Sequence, residues 1–196
     1  MPRHPDPDLE ERILHAADIL WRRGGEPALT MRAVARAAKT NTPAVYRRFK
    51  DRNDLVKGLL LRIAARIRER FSQGETLEQM ADAYVDCALD MPHEYLLFYS
   101  HSHLLSPRKG HGEPRPIRES RPNFALTEDL LAKQLGGRPE DHTRLALTIW
   151  ALLHGTSIML LNKTIPEGHE EELRTACRAG VKTLLAKAGG QKLFPG

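Results

Sequence analysis

The chain has 196 residues, of which 41% are hydrophobic and 28% are charged. These proportions are ordinary for a soluble globular protein with one large domain or two small ones. No basic segment followed by an apolar run opens the sequence, which argues against a secretory signal. Cys87 and Cys177 lie far apart and form no CxxC or metal-ligand pattern, which indicates reduced thiols. We therefore expect a cytoplasmic protein.

The charge is unevenly distributed along the chain. Residues 1–70 carry 16 Lys/Arg against 9 Asp/Glu, whereas residues 71–196 carry 14 against 16, and the formal net charge is +5. A basic first third indicates that this end of the chain meets a polyanion such as nucleic acid. A solvated helix face can also be basic, so the charge alone does not decide the partner.

Hydrophobic residues recur at helical spacing in almost every segment, and no segment alternates as a half-buried strand does. The first predicted helix runs from Asp8 to about Arg23 and ends at Gly24-Gly25. Residues 106–122 are rich in proline and basic residues and are predicted to be a loop. We predict an all-α fold of about nine helices. Beyond the first, they cover residues 30–38, 41–49, 51–71, 77–91, a short aromatic segment after Pro92, 127–136, 139–161 and 168–187.

The stretch of residues 145–161 is apolar nearly all round, which indicates burial on more than one side. A membrane span is one interpretation. It is disfavoured by Thr148, His154, Thr156 and Ser157 and by the lack of a second such segment. A helix that lies between its own core and a partner subunit has the same pattern, and we prefer this interpretation.

Residues 30–55 have the form of a helix-turn-helix, with two short helices joined by a tight turn. A small-residue seam is predicted where the two helices cross, formed by Val34, Ala37 and Ala38. Val45 and Phe49 would anchor the second helix. The residues at the start of such a recognition helix lie nearest to base edges in the major groove.

The side chains left outside suit contact with DNA. Thr30 offers a hydroxyl and a helix N-terminus to a phosphate, and the Tyr46 hydroxyl can bind another. Either of two adjacent arginines could reach a guanine edge, and Thr42 or Pro43 could touch a thymine methyl. The alternative is an ordinary three-helix bundle with exposed polar residues. The predicted DNA-binding residues are Thr30, Arg32, Asn41, Thr42, Pro43, Tyr46, Arg47, Arg48, Lys50 and Arg52.

The order of these parts resembles the TetR family of bacterial regulators. The likeness covers a first helix ending at Gly24, a second opened by Thr30, and residues 33–55, which contain the sequences YRRF and DL where the family has Tyr-x-x-Phe and an acidic, Leu-led start. The chain departs from the family where the usual Gly-Val turn is Lys39-Thr40 and the usual Ser is Asn41. Pro43 is a less usual residue that could tune operator preference.

The C-terminal half resembles a TetR subgroup marked by a Trp-x-x-x-His-Gly run, here Trp150, His154 and Gly155. The resemblance implies a DNA-binding domain over residues 1–55 and a helical ligand-binding and dimerisation domain over residues 56–196. It also implies a homodimer through its last two helices, a palindromic operator, and release of that operator by a small molecule. Neither a cofactor nor catalytic activity is implied. The same module serves repressors and activators.

Aromatic and neutral polar residues of the C-terminal half are candidates for the lining of a ligand pocket. They are Tyr95, Phe98, Trp150, His154 and Met159. The alternative for each is plain core packing. Because obvious buried charge is lacking in these segments, we predict a small apolar or aromatic effector.

Two other classes of function have less support. A metal sensor could use His101, His103 and His111 with His93 upstream, but His-x-His is not a helical i,i+4 pair and nearby acids are sparse, so we predict no metal site. An enzyme is disfavoured because no nucleophile elbow, P-loop, dinucleotide fingerprint or paired metal motif occurs.

Overall fold

A computed structural model describes residues 6–105 and 116–190 of the chain. Within these ranges the chain forms ten α-helices, two short 3₁₀ helices and no strand, which confirms the predicted all-α fold. The 3₁₀ helices cover Ser102–Leu105 and Pro139–His142. The α-helices are α1 (Leu9–Ala28), α2 (Met31–Ala37), α3 (Thr42–Arg48), α4 (Arg52–Ser72), α5 (Leu77–Asp90), α6 (Pro92–His101), α7 (Ile117–Ser120), α8 (Pro122–Leu135), α9 (Thr143–Leu161) and α10 (Glu170–Gly190).

The described residues divide into two compact units. The N-terminal unit consists of residues 6–65 and 93–105 and contains α1 to α3, most of α4, and α6. The C-terminal unit consists of residues 66–92 and 116–190 and contains α5 and α7 to α10.

The core of the N-terminal unit forms where α4 packs against α1 and the end of α3. Gly58 lies at this crossing, and a Cβ added there would be 2.8 Å from Leu14 Cδ2 and 3.2 Å from Phe49 Cε1. A larger residue would therefore require these two side chains to shift. Beside the apolar contact, Arg62 of α4 pairs with Glu11 of α1 at 2.6 Å.

The first regular helix ends at Gly24-Gly25, as predicted, and a separate short turn within the α1 range follows it. Gly25 adopts φ 60° and ψ −150°, which kinks the chain, and one further helical turn then runs to Ala28. A glycine accommodates this backbone conformation without the steric cost that a Cβ would bring. Pro27 is tolerated because it lies in the first turn of the resumed helix, where amides lack intrahelical partners.

The C-terminal unit is organised around α9, which packs against α5, α8 and α10. Ile149 and Leu153 of α9 are buried in this core. The indole Nε1 of Trp150 donates a hydrogen bond to the Tyr84 hydroxyl at 3.0 Å, which joins α9 to α5.

Two ion pairs hold α10 against α5 in the C-terminal unit. Arg174 pairs with Asp86, and Arg178 pairs with Asp82 at 2.7 Å. The two arginines are four positions apart on α10, and the two aspartates are four positions apart on α5, so the pairs lie one turn apart on each helix.

Two sequence predictions between α6 and α9 need correction. The helix expected to begin at Thr127 begins at Pro122, because proline suits the first helical position and the apolar residues continue from there. The predicted loop over residues 106–122 is wrong for its last part, where Ile117–Ser120 forms a short helix. Residues 106–115 of that prediction lie outside the described residues.

One helical stretch, Pro139–Leu161, is long and apolar enough to cross a bilayer by length and composition alone. Core helices of soluble proteins pass the same test. Within the C-terminal unit, α9 buries one face and leaves another face open, on which Leu147 is 36% exposed and Met159 is 38% exposed.

Candidate nucleic-acid interface

Both short helices of the predicted motif begin at side-chain caps. Thr30 Oγ1 accepts a hydrogen bond from the Ala33 amide at 3.1 Å, and Asn41 Oδ1 accepts one from the Ala44 amide at 2.8 Å. Each cap satisfies an amide that the first helical turn leaves without a backbone partner. The predicted helix-turn-helix therefore forms, with the two helix starts where the sequence placed them.

The turn between α2 and α3 is closed by backbone hydrogen bonds. The Thr40 amide donates to the Ala35 carbonyl at 2.9 Å, and the Lys39 amide donates to the Arg36 carbonyl at 3.2 Å. This closure places Lys39 in the left-handed region, with φ 54°. Glycine adopts that conformation at lower cost than lysine, which explains why a Gly-Val turn is the usual sequence in chains that this segment resembles.

The seam between α2 and α3 differs from the prediction at one position. Val34 and Ala38 are buried as expected, but Ala37 is exposed and Ala35 is buried in its place. Residues 31, 34, 35 and 38 follow the i, i+3, i+4, i+7 spacing of one helix face, and residue 37 lies outside that stripe. On α3, Val45 and Phe49 are buried and anchor the helix as predicted.

Most of the predicted DNA-binding side chains lie on the surface of the N-terminal unit. Tyr46 is 52% exposed, so its ring and hydroxyl are open to an external partner. Thr42 and Arg52 are half-buried. The exposed members of the set are Thr30, Arg32, Asn41, Pro43, Tyr46, Arg47, Arg48 and Lys50.

The cationic members of this set fall into two groups. The side chains of Arg32, Arg47 and Lys50 make no hydrogen bond or ion pair with any residue in the described ranges. These three charges are therefore available to an external anion.

The other two cations are engaged within the N-terminal unit. Arg48 Nη2 donates to the Asp6 carbonyl at 3.0 Å. Arg52 Nε donates to the Leu29 carbonyl at 3.2 Å, and its Nη2 pairs with Glu26 at 3.0 Å. Sequence reasoning missed these contacts because the partners lie 23 to 42 residues away and carry no local signal. A phosphate-binding role for Arg52 stays a prediction, and its observed contacts position the start of α2.

The break before α4 is fixed by two aspartates. Asp51 Oδ1 accepts from the Asp54 amide at 2.9 Å, and Asp54 Oδ2 accepts from the Lys50 amide at 3.1 Å. This reciprocal pair satisfies two amides near the helix start, as a capping box does. It fixes the backbone of Lys50, whose side chain stays exposed.

The predicted ligand-lining residues are divided between the units. Tyr95 and Phe98 are buried on α6 in the N-terminal unit, and the Tyr95 ring lies 4.6 Å from that of Tyr99. In the C-terminal unit, Trp150 is half-buried and its ring lies 5.9 Å from that of Phe124.

His154 lies one turn after Trp150 on α9 and is half-buried, and burial lowers its pKa below the ordinary histidine value. Met159, the last residue of the predicted set, is exposed at the C-terminal part of the same helix.

The histidines considered for a metal site are only partly described. The rings of His101 and His103 lie 6.1 Å apart, and His101 Nε2 is 3.6 Å from a Glu26 carboxylate oxygen. Across the described residues, no group of three histidine, cysteine or acidic side chains is arranged to hold a metal ion. His111 lies outside the described ranges.

Comparison with known proteins gives matches over both halves of the chain. Residues 13–59 match the model of the bacterial regulatory proteins of the tetR family. Residues 77–184 match the model of the tetracyclin repressor-like C-terminal domain. Neither match addresses the Trp-x-x-x-His-Gly subgroup. No curated protein matches the sequence.

Solved structures with the same fold include several regulators. A protein of unknown function from Rhodococcus sp. RHA1 has a TM-score of 0.70 and 20% identity, over 95% of this chain and 97% of that one. A TetR-family transcriptional regulator from Streptomyces coelicolor has a TM-score of 0.60 and 22% identity, over 91% and 98%. A TetR variant from Acinetobacter baumannii AYE in complex with minocycline has a TM-score of 0.56 and 18% identity, over 89% and 92%.

At these identities the structural likeness shows the fold alone. The family models carry the assignment, since the C-terminal one alone spans more than half of the sequence. Members of the family are soluble DNA-binding regulators of transcription and are generally not enzymes. By its capped helix-turn-helix and by both model matches, the chain belongs to the TetR family of bacterial regulatory proteins.

Proposed function

We propose that this protein is a cytoplasmic repressor that binds a palindromic operator as a homodimer and releases it on binding a small apolar or aromatic molecule. The observation that carries the proposal is the surface of α2 and α3, where Tyr46 is exposed beside cations that have no partner among the described residues. Such a surface suits a phosphate backbone and the base edges within its groove.

The N-terminus of α2 supports a phosphate contact. Thr30 is exposed and caps the helix, so its hydroxyl and the first amides of α2 lie together at the surface. Open amides at a helix start attract anions. Arg32, in the same turn, adds a full positive charge, so this end of α2 would bind one phosphate of the operator.

The open face of α9 supports a homodimer. Leu147, Ala151, Gly155 and Met159 follow one another at four-residue intervals, and all four are exposed. A Cβ added at Gly155 would meet no atom within 4 Å among the described residues, so the glycine is not required by packing inside the subunit. An apolar stripe with a small residue at its centre lets a second helix approach closely, and a second copy of α9 would bury it.

The surroundings of α9 support an uncharged effector. Trp150, Tyr84 and Phe124 form an aromatic group. His154 lies one turn after Trp150 on α9, and its lowered pKa favours the neutral imidazole at neutral pH. Aromatic walls with a few hydrogen-bonding groups are typical of sites for small apolar ligands. The minocycline complex of the Acinetobacter relative shows that a member of this fold accommodates a polycyclic molecule.

Selection of bound duplexes from a random DNA pool tests the operator claim. We expect enrichment of an inverted repeat whose half-sites are spaced by about one turn of DNA, roughly 34–36 Å, or by another fixed spacing. A selected pool without any enriched sequence would contradict the proposal. Candidate effectors can then be screened by their ability to release the selected duplex.

A pair of matched variants tests the dimer. Leu147 on α9 is 36% exposed and Leu89 on α5 is 38% exposed, so each arginine substitution introduces a charge at a similarly open site. We expect Leu147→Arg to convert the dimer into a monomer in analytical ultracentrifugation and Leu89→Arg to leave it intact. A monomeric wild-type protein, or a dimeric Leu147→Arg variant, would argue against an interface formed by α9.

A further inference from the structure

The recognition helix carries two adjacent arginines that the structure places in different surroundings. Arg47 and Arg48 both end α3, and both are exposed. Successive residues on an α-helix are turned by about 100° from one another, so neighbours in sequence face different ways. The two side chains therefore cannot serve a base edge in the same manner.

The buried residues of α3 fix the inward direction. Ala44 is 4% exposed and Val45 is fully buried. Position 48 follows these residues by four and three positions, so its angular position falls between theirs and the Arg48 stem leaves the helix on the inward side. Position 47 follows exposed Pro43 by four positions and shares the outward face with it.

The hydrogen bonds agree with this geometry. Arg48 Nη2 donates to the main-chain carbonyl of Asp6 at 3.0 Å, just before α1 begins. The Asp6 carboxylate pairs with Arg12 and accepts from the Asp8 amide at 3.1 Å, so the acceptor is itself held in place. Arg12 chiefly, with a smaller contribution from Arg48, holds the pKa of Asp6 below its usual value.

Arg47, unlike Arg48, has a guanidinium group that is not engaged within the described residues. Its guanidinium makes no hydrogen bond or ion pair with a described residue, and it lies beside exposed Tyr46. A free guanidinium has five donors in a rigid planar fork, which matches the O6 and N7 acceptors of guanine in the major groove. A residue that must also hold another part of the protein cannot offer the same fork to a base.

We propose that Arg47 is the specificity-determining arginine of the recognition helix and that Arg48 is a positioning residue, which fastens the start of α1 to α3. This assignment rests on the proposed operator binding. The base contact then lies on the outward edge of α3. The Asp6–Arg12 pair orients the Asp6 carbonyl that accepts the hydrogen bond from Arg48.

The experiment compares Arg47→Ala, Arg48→Ala and Arg48→Lys with the wild type on the selected operator and on its single-base-pair variants. We expect Arg47→Ala to lose roughly 10- to 100-fold in operator affinity and to lose discrimination at one base pair of each half-site. We expect Arg48→Ala to weaken binding to all of these duplexes by the same factor, with an unchanged slope of affinity against salt, because no phosphate contact is removed.

The role of Arg48 is also measured without DNA. The Leu9 and Arg12 amides donate to the Asp6 and Asp8 carbonyls at 3.3 Å and 3.0 Å, and their hydrogen exchange should accelerate several-fold in Arg48→Ala and stay unchanged in Arg47→Ala. Arg48→Lys should restore slow exchange and operator affinity together, because lysine can donate to the Asp6 carbonyl. If Arg48 had only a local structural role, Arg48→Ala would accelerate amide exchange at the start of α1 and leave operator affinity unchanged.

The outcomes separate the two proposals. If the wild type selects no sequence, operator binding fails and the role of Arg47 fails with it. If the wild type selects an operator but Arg48→Ala loses discrimination at one base pair while Arg47→Ala keeps it, only the assignment of the two arginines is overturned. Unchanged exchange in Arg48→Ala would overturn the positioning role by itself.

Discussion

The indole Nε1 of Trp21 donates a hydrogen bond to the main-chain carbonyl of His93 at 2.7 Å, which joins α1 to α6 within the N-terminal unit. Buried Asp18 and Glu94 lie beside this contact, and Arg22 reaches both, at 2.7 Å and 3.6 Å. These polar contacts therefore connect α6, which carries Tyr95 and Phe98, to α1 within the unit that also contains the helix-turn-helix.

Replacement of Trp21 tests how much the hydrogen bond between Trp21 and His93 contributes to stability. Trp21→Phe removes the donor and part of a buried ring, so we expect the free energy of unfolding to fall by about 1–3 kcal/mol. Urea denaturation followed by circular dichroism measures the change. His93→Ala is the control, because it keeps the accepting carbonyl and alters only an exposed side chain. An equal loss in both variants would show that the hydrogen bond is not the cause.

The left-handed conformation of Lys39 predicts a stabilising substitution. Lys39→Gly removes the steric cost of a Cβ at φ 54°, and this gain exceeds the added entropy of glycine in the unfolded chain. We expect a net gain of about 0.5–1 kcal/mol, visible as a higher midpoint of thermal unfolding. Lys39→Ala should give no such gain. If both substitutions stabilised the protein equally, the lysine charge rather than its backbone would be responsible.

The Asn41 cap of the recognition helix predicts how stability and operator affinity change when residue 41 is replaced by serine or by alanine. Asn41→Ala leaves the Ala44 amide without its side-chain acceptor, so we expect a loss of about 1 kcal/mol in the free energy of unfolding, with weaker operator binding. Asn41→Ser should stay near the wild type, since serine caps equally well. Chemical denaturation and operator titration of the three proteins provide the test. If Asn41→Ser lost as much stability and operator affinity as Asn41→Ala, the side-chain amide of Asn41 would act through a contact other than the cap.

The lowered pKa of His154 predicts a dependence of stability on pH. Because its folded-state pKa lies below the unfolded value, the unfolded chain binds the proton more readily, and stability falls as the pH drops below about 6.5. His154→Gln lacks this contribution, so the free energy of unfolding of the wild type should decline more steeply than that of the variant between pH 7.5 and 5.5. Parallel curves for the two proteins would show that burial does not disfavour protonation at this site.

Local signals in the sequence were enough for much of the motif. Thr30, Asn41 and Asp51 belong to the residue types that cap helices, and a cap acts only about three residues along the chain, so helices starting near residues 30, 41 and 51 could be predicted. The start of α8 was missed because the prolines of residues 106–122 indicated a loop, although proline also opens helices.

Contacts between distant residues could not be predicted from those signals. Asp6 and Arg48 are 42 residues apart, and Trp21 and His93 are 72 apart. Nothing in the local sequence specifies either pair, so the engaged and free cations of the candidate interface could be separated only in three dimensions.

Photo-crosslinking tests the central claim most directly, which is that the outward face of α3 lies against DNA. Tyr46 is 52% exposed on α3 and Leu61 is 57% exposed on α4, so a p-azidophenylalanine at either position is equally open to solvent. We predict that the probe at position 46 crosslinks to the selected operator and that the probe at position 61 does not. Crosslinking from position 61, with none from position 46, would contradict the proposed interface.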